Sequence, residues 1–200
     1  GVEYANATFT NNAATWATKI FGTSEGQLNH YMSEISGGRM QFTQVTENSG
    51  TANDSIMIAA FSKNHPNYAQ TASLADQEAI MTHFVNNINY AAYDTNSDGY
   101  ISVRELQVMF LFAGGESSYG TSPGVWGHAW CENYYPYTLD GVQFFNCNYG
   151  RFSRFGERHG NHDATIGIIA HELGHAAFLI PDSYDTDSSS EGIGELGLMG

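Results

Sequence analysis

Residues 163 to 181, DATIGIIAHELGHAAFLIP, constrain the fold more than any other part of the chain. Ile166, Ile169, Leu173, Ala176 and Ile180 recur at intervals of three and four, which predicts a helix with one buried stripe. Asp163 or Thr165 can cap it, and Pro181 is expected to stop it near Ile180. His171 and His175 stand one turn apart on another face, so both imidazoles reach one ion, with Glu172 beside them. This is the spacing of a zinc hydrolase. Zn²⁺ lowers the pKa of a water towards about 7, a carboxylate takes its proton, and the hydroxide attacks a polarised carbonyl. Glu172 would then pass the proton to the leaving amine. Two histidines supply only two of the three protein ligands that such chemistry uses, and the same five residues also occur in purely structural helices.

A second motif asks for a different cation. DTNSDGYISVRE, residues 94 to 105, fits the twelve-residue EF-hand loop. Asp94, Asn96 and Asp98 occupy positions 1, 3 and 5, Gly99 the turn at 6 and Tyr100 the carbonyl position 7. Ser102 can act through water at 9, and Glu105 is the bidentate carboxylate at 12. Hard oxygens at alternating positions suit Ca²⁺. Because the run that follows reads as a strand and not a second helix, a lone structural calcium site is expected. A polar turn between two elements is the competing reading.

The rest of the chain reads as one domain of helices and strands. Helical spacing is expected from 13 to 35 with breaks, Trp16, Ile20 and Phe21 on one face and Leu28, Tyr31, Met32 and Ile35 on another, ended by Gly37 and Gly38. RMQFTQVTE, with Met40, Phe42 and Val45, favours a strand. A helix is expected over 73 to 89, and its stripe of Leu74, Ile80, Met81, Phe84, Val85 and Ile88 reads as core. ELQVMFLFAGGE predicts a buried strand stopped by Gly114 and Gly115. Between 115 and 161, clusters such as VWGHAW and NYYPY suggest long loops and short strands. Cys131 and Cys147 form either a bridge worth about 3 kcal/mol in an oxidising compartment or two thiols.

Composition narrows the partners. Against 21 Asp and Glu stand only 7 Lys and Arg, for a net charge of -14, so nucleic acid and anionic membrane surfaces should be repelled. The longest apolar run is about six residues, far below the roughly twenty of a membrane span. GVEYANATFT has neither a basic nor an apolar leader region, which fits either a cytosolic chain or, the preferred reading, an exported one whose signal segment lies outside it.

FGTSEGQLNHYMSEISGGRMQFTQVTE, YDTNSDGYISVRELQVMFLFAGGE, VWGHAW and FGERHGNHDATIGIIAHELGH followed by PDSYDTDSSSEGIGELGLMG together resemble the immune inhibitor A family of secreted bacterial zinc metalloendopeptidases. The resemblance implies an α+β, zincin-like catalytic domain over 1 to 200, a mixed twisted sheet over an active-site helix, within a longer protein. It also implies Zn²⁺ and Ca²⁺, secretion, and cleavage of internal peptide bonds by a monomer acting on protein or peptide substrates. Met199, twenty-four positions after His175, stands where metzincin-like sites place a methionine floor.

The chain departs from the family pattern after His175. Phe178 replaces the expected glycine, AAFLIPD carries one extra residue, and Leu196, after Glu195, replaces a common tryptophan. The helix is therefore expected to continue to Ile180 and bend at Pro181. Asp182 matches the family's Pro-Asp as third zinc ligand, with Asp185 and Glu191 in reserve and Cys147 as an outsider. Tyr184 is a candidate oxyanion donor, and His128, His159 and His162 are assigned no catalytic role. Two other functions stand beside the peptidase: a catalytically impaired, calcium-stabilised binding or adhesion module, and a hydrolase of small amides.

Overall fold

The computed structural model describes residues 1–67, 74–133, 137–185, 187, 189–190, 192–194 and 197–200, with backbone alone for 74–76. Its centre is a mixed sheet. β1 (Val2–Tyr4) lies between β2 (Ala59–Phe61) and β3 (Val108–Glu116), and β8 (Phe152–His159) lies on the other side of β3, all parallel. The short β4 (Gly124–Val125) adds to β3, β5 (His128–Trp130) pairs antiparallel with β8 at the edge, and β9 (His162–Asp163) also pairs with β8. β6 (Tyr137–Leu139) and β7 (Val142–Phe144) form a separate hairpin. Four α-helices complete the mixed α/β fold among the described residues: α1 (Ala13–Phe21), α2 (Leu28–Ser36), α3 (Leu74–His83) and α4 (Ile166–Phe178).

Alternation along the central strands divides the interior in two. Phe110 and Phe112 of β3 and Phe152 of β8 face a core shared with Ile80, Met81, Phe84, Tyr90 and Phe144. Leu111 and Phe155 face the opposite core, where Trp16, Ile20, Leu28 and Met32 meet Ile169 and Leu173 of α4. Each fully buried large side chain contributes about 1.5–3 kcal/mol. The apolar stripe of α4 is thus seated against one face of the sheet, which leaves its histidine face turned elsewhere.

Several expected elements take a different form. RMQFTQVTE belongs to no strand, and side chains satisfy its backbone instead. Asn29 brackets Phe42, donating to its carbonyl and accepting from its N–H; Ser36, Ser55 and Tyr93 accept from Met40, Val45 and Thr46. The helix over 73 to 89 ends at His83, and the Asn87 carbonyl accepts from Asn48 while its amide donates to the Asn48 side chain. Its stripe still reaches the core through Ile80, Met81, Phe84 and Ile88, while Ser73 lies outside the described residues. Ile35, placed on the inner face of α2, is exposed. β3 does not stop at the glycines. It continues to Glu116 through an irregularity in register, with Gly114 at φ +118, where a Cβ would lie 2.8 Å from the Pro123 carbonyl.

Cys131 and Cys147 are joined in a disulfide, Cα atoms 4.9 Å apart, which removes Cys147 from the candidate metal ligands. Of NYYPY, residues 134–136 lie outside the described residues. Among the described residues no helix is long and apolar enough to cross a membrane.

Candidate metal centre

α4 ends two residues before the expected Ile180, and that ending builds the site. The Leu179 N–H bonds back to the Gly174 carbonyl, five residues earlier, instead of closing an α-helical turn of four. Ile180 donates to the same carbonyl at 3.0 Å. Leu179 itself is left-handed, φ 57 and ψ 28. The extra residue is therefore absorbed in a widened last turn, and the reversal falls at Leu179, with Phe178 still helical. Pro181 leads the chain back along the helix, and Asp182 reaches the two histidines.

The resulting geometry is close. His171 Nε2 and His175 Nε2 are 3.3 Å apart, and Asp182 Oδ1 is 3.3 Å from the first and 3.1 Å from the second. Among the described residues this is the one group of three or more histidine, cysteine or carboxylate side chains gathered for a metal. Bonds of about 2.0–2.1 Å at tetrahedral angles place two zinc ligands about 3.3–3.4 Å apart, so the three donors are already spaced for that ion. His171 Nδ1 is 2.8 Å from the Leu198 carbonyl and His175 Nδ1 is 2.7 Å from the Ile180 carbonyl. A carbonyl only accepts, so each Nδ1 carries a proton, and in the neutral ring each Nε2 presents a lone pair. Asp182 Oδ1 is buried and has no hydrogen-bond donor. Three lone pairs facing one another repel unless a cation lies between them, and the donor set fits Zn²⁺.

Asp185 is half-buried and its carboxylate is occupied by Ser189, Asp187 and Ser190, which hold its pKa well below the usual range. Glu191, Glu195 and Leu196 lie outside the described residues. Tyr184 donates its hydroxyl to Asp182, and that bond raises the phenol pKa. Met199 is buried beneath α4, where a Cβ on Gly174 would come within 2.8 Å of its sulfur, and its carbonyl accepts from Ser183. The methionine turn thus supports both the helix and, through Leu198, the orientation of His171.

Glu172 is 5% exposed. Burial pushes its pKa up to about 8, helped by Glu116 and Asp182 and opposed by Arg154 and by a hydrogen bond from the Ala129 N–H. A divalent cation at the three donors would draw it down again. His128, half-buried on β5, is lowered by burial and then by Arg154 and His175. Sequence reasoning assigned nothing to Glu116 or Arg154, both fully buried, and no role to His128. These three come from β3, β8 and β5, far apart in the chain, and no local spacing signals them. His159 and His162 lie near each other but outside the three-donor cluster.

The loop from Asp94 to Glu105, the candidate calcium site, is braced from within. Asp94 accepts from the Asp98 and Gly99 amides, Asn96 from Asp98, and Asp98 from Tyr100. Tyr100 stacks on Tyr149, ring centroids 3.9 Å apart. Both oxygens of Glu105 are engaged, one by Thr95 and Asn96 and the other by Ser102. Burial alone would raise the pKa of Glu105; the hydrogen bonds from Ser102, Thr95 and Asn96 outweigh it and hold it at about 2. Asp94, Asp98 and Glu105 do not converge as tightly as the zinc-type donors.

A cavity of about 770 Å³ opens along the other side of α4, walled by Leu173 and Ala177 with Trp16, Phe42, Met109 and Leu111; none of the three donors lines it. The three donors therefore lie outside that cavity. Comparison with family models, with curated proteins and with solved structures gave no match.

Proposed function

We propose that the chain is a zincin-like catalytic domain of a secreted, zinc-dependent metalloendopeptidase of the immune inhibitor A kind, hydrolysing internal peptide bonds and stabilised by calcium. The observation that carries this reading is the convergence of His171 Nε2, His175 Nε2 and Asp182 Oδ1 at 3.1–3.3 Å, with both histidine Nδ1 atoms turned to backbone carbonyls. These three residues would hold the zinc. When bound, the ion would supply Lewis acidity for activating water and polarising a carbonyl. Glu172, next to the ligands and almost buried, takes a proton from water and delivers it to the amine of the broken bond. Asp182 keeps its ligating oxygen bare, while the Tyr184 hydroxyl is tied to that carboxylate and would be the donor offered to an oxyanion. The mixed sheet with an antiparallel edge strand beside α4 supports the zincin-like reading, and the disulfide supports an oxidising compartment.

The test is metal analysis together with cleavage of an unfolded protein substrate. The parent is expected to bind one zinc per chain and to lose cleavage to a chelator. Glu172→Gln should keep the zinc and lose about 10²–10⁴-fold in kcat. Asp182→Ala should weaken zinc binding by more than about 100-fold, and Asp185→Ala should leave it unchanged. A parent without zinc, or a Glu172→Gln protein as active as the parent, would overturn the reading.

A further inference from the structure

Two ionisable side chains are fully buried behind the metal centre: Glu116, the last residue of β3, and Arg154 on β8, each 0% exposed. Both grip the stretch that leads into β5. The Arg154 Nε donates to the Trp126 carbonyl at 3.2 Å, and the Gly127 N–H donates to Glu116 Oε1 at 2.7 Å. The other Glu116 oxygen accepts from the Gly156 N–H of β8 at 3.2 Å. Two residues beyond Gly127, the Ala129 N–H bonds to the Glu172 carboxylate. Across the ladder, Ala129 is paired with Ser153 and His128 with Arg154. The stretch is also pressed onto α4, since a Cβ at Gly127 would meet Ile168 Cδ1 at 3.0 Å.

Holding a strand edge does not require ionised groups. An apolar pair of the same volume does so at equal or lower cost, because burying a charge forfeits its hydration. Here the charges do something apolar groups cannot. Glu116 accepts two backbone amides that would otherwise be orphaned, and Arg154, attracted by both Glu116 and Glu172, keeps two buried carboxylates from facing each other uncompensated. We propose that Arg154 and Glu116 are positioning residues for Glu172: together they fix the Trp126–Ala129 backbone, whose Ala129 amide holds the Glu172 carboxylate beside the metal ligands. This role rests on the peptidase reading above, and neither residue touches the reacting atoms.

The experiment compares zinc-loaded parent, Arg154→Met, Arg154→Lys and Glu116→Gln. Zinc content, kcat and KM on an unfolded protein substrate, and hydrogen exchange at the Ala129 amide are measured. Arg154→Met and Glu116→Gln should each lower kcat by about 10- to 100-fold, the usual cost of losing a supporting group, with KM and zinc content unchanged and faster exchange at Ala129. Arg154→Lys, which keeps the cation, should recover part of the lost kcat. In a Glu172→Gln background the same substitutions should cost little further activity, since their effect passes through that carboxylate. Should Arg154→Met not fold, Glu116→Gln and Arg154→Lys carry the test. An active parent whose variants keep its kcat, or lose as much in the Glu172→Gln background, overturns the positioning role alone. A zinc-loaded parent that cleaves nothing overturns the peptidase reading and this role together.

Discussion

Leu179 shows how one residue can carry the cost of a site. It is left-handed at φ 57, a conformation in which its Cβ crowds the backbone, and its side chain is 53% exposed, so little packing compensates. The strain is tolerated because the widened turn at Gly174 delivers Asp182 to the histidines and lets the Ile180 carbonyl orient His175. Leu179→Gly should therefore stabilise the protein by up to about 1 kcal/mol, the left-handed strain relieved less the added entropy of a glycine in the unfolded chain. Urea unfolding reads this directly. A destabilised variant would show that the leucine side chain contributes packing that outweighs its backbone strain.

At the scale of elements, the histidine helix and the braced loop from Asp94 to Glu105 were both legible as local spacing. Their neighbours were not. Met40 to Val45 has the composition of a strand, yet Asn29 and Ser36 of α2, with Ser55 and Tyr93, satisfy its backbone before any strand does. No periodicity within the segment encodes that outcome. The loop from Asp94 to Glu105 is the opposite case, because its ligands and its bracing bonds lie within one short stretch. Ca²⁺ is expected to raise the unfolding temperature, the gain approaching about 2.7 kcal/mol at a hundred times the dissociation constant. Glu105→Gln should abolish most of that calcium-dependent gain, whatever it does to the metal-free protein. An equal calcium shift in parent and variant, read by calorimetry, would place the ion elsewhere.

At the scale of the whole molecule, buried histidines set a stability window. His159 is 2% exposed, and burial, then His162 and Lys19, lower its pKa from the ordinary 6.5 to about 4; burial alone brings His65 to about 4 as well. Both fold as neutral rings, so the unfolded chain binds more protons between these values. Stability present above about pH 6.5 is lost as pH falls towards 4, by at most about 3 kcal/mol per ring. Glu172 and Glu116, raised by burial, pull the other way over part of this range. The difference between parent and His159→Phe, from urea midpoints at several pH values, isolates the ring: the parent should lose stability relative to the variant on acidification, and parallel curves would refute it.

By itself the sequence picked out two of the three donors that converge, the adjacent carboxylate and the acidic loop from Asp94 to Glu105 as the candidate calcium site, because each is a pattern of side chains repeated within a turn or a loop. It also narrowed the third donor to a short acidic stretch, with Asp182 first among the candidates. Only tertiary structure decided that Asp182 is, among the described residues, the carboxylate within 3.3 Å, since that depends on where the chain reverses, and it reverses at Leu179 instead of bending at Pro181. The support from Glu116, Arg154 and Ala129 belongs wholly to the fold: those residues meet because parallel strands bring distant segments side by side, a proximity that hydrogen-bond pairing across the sheet creates and sequence spacing does not record.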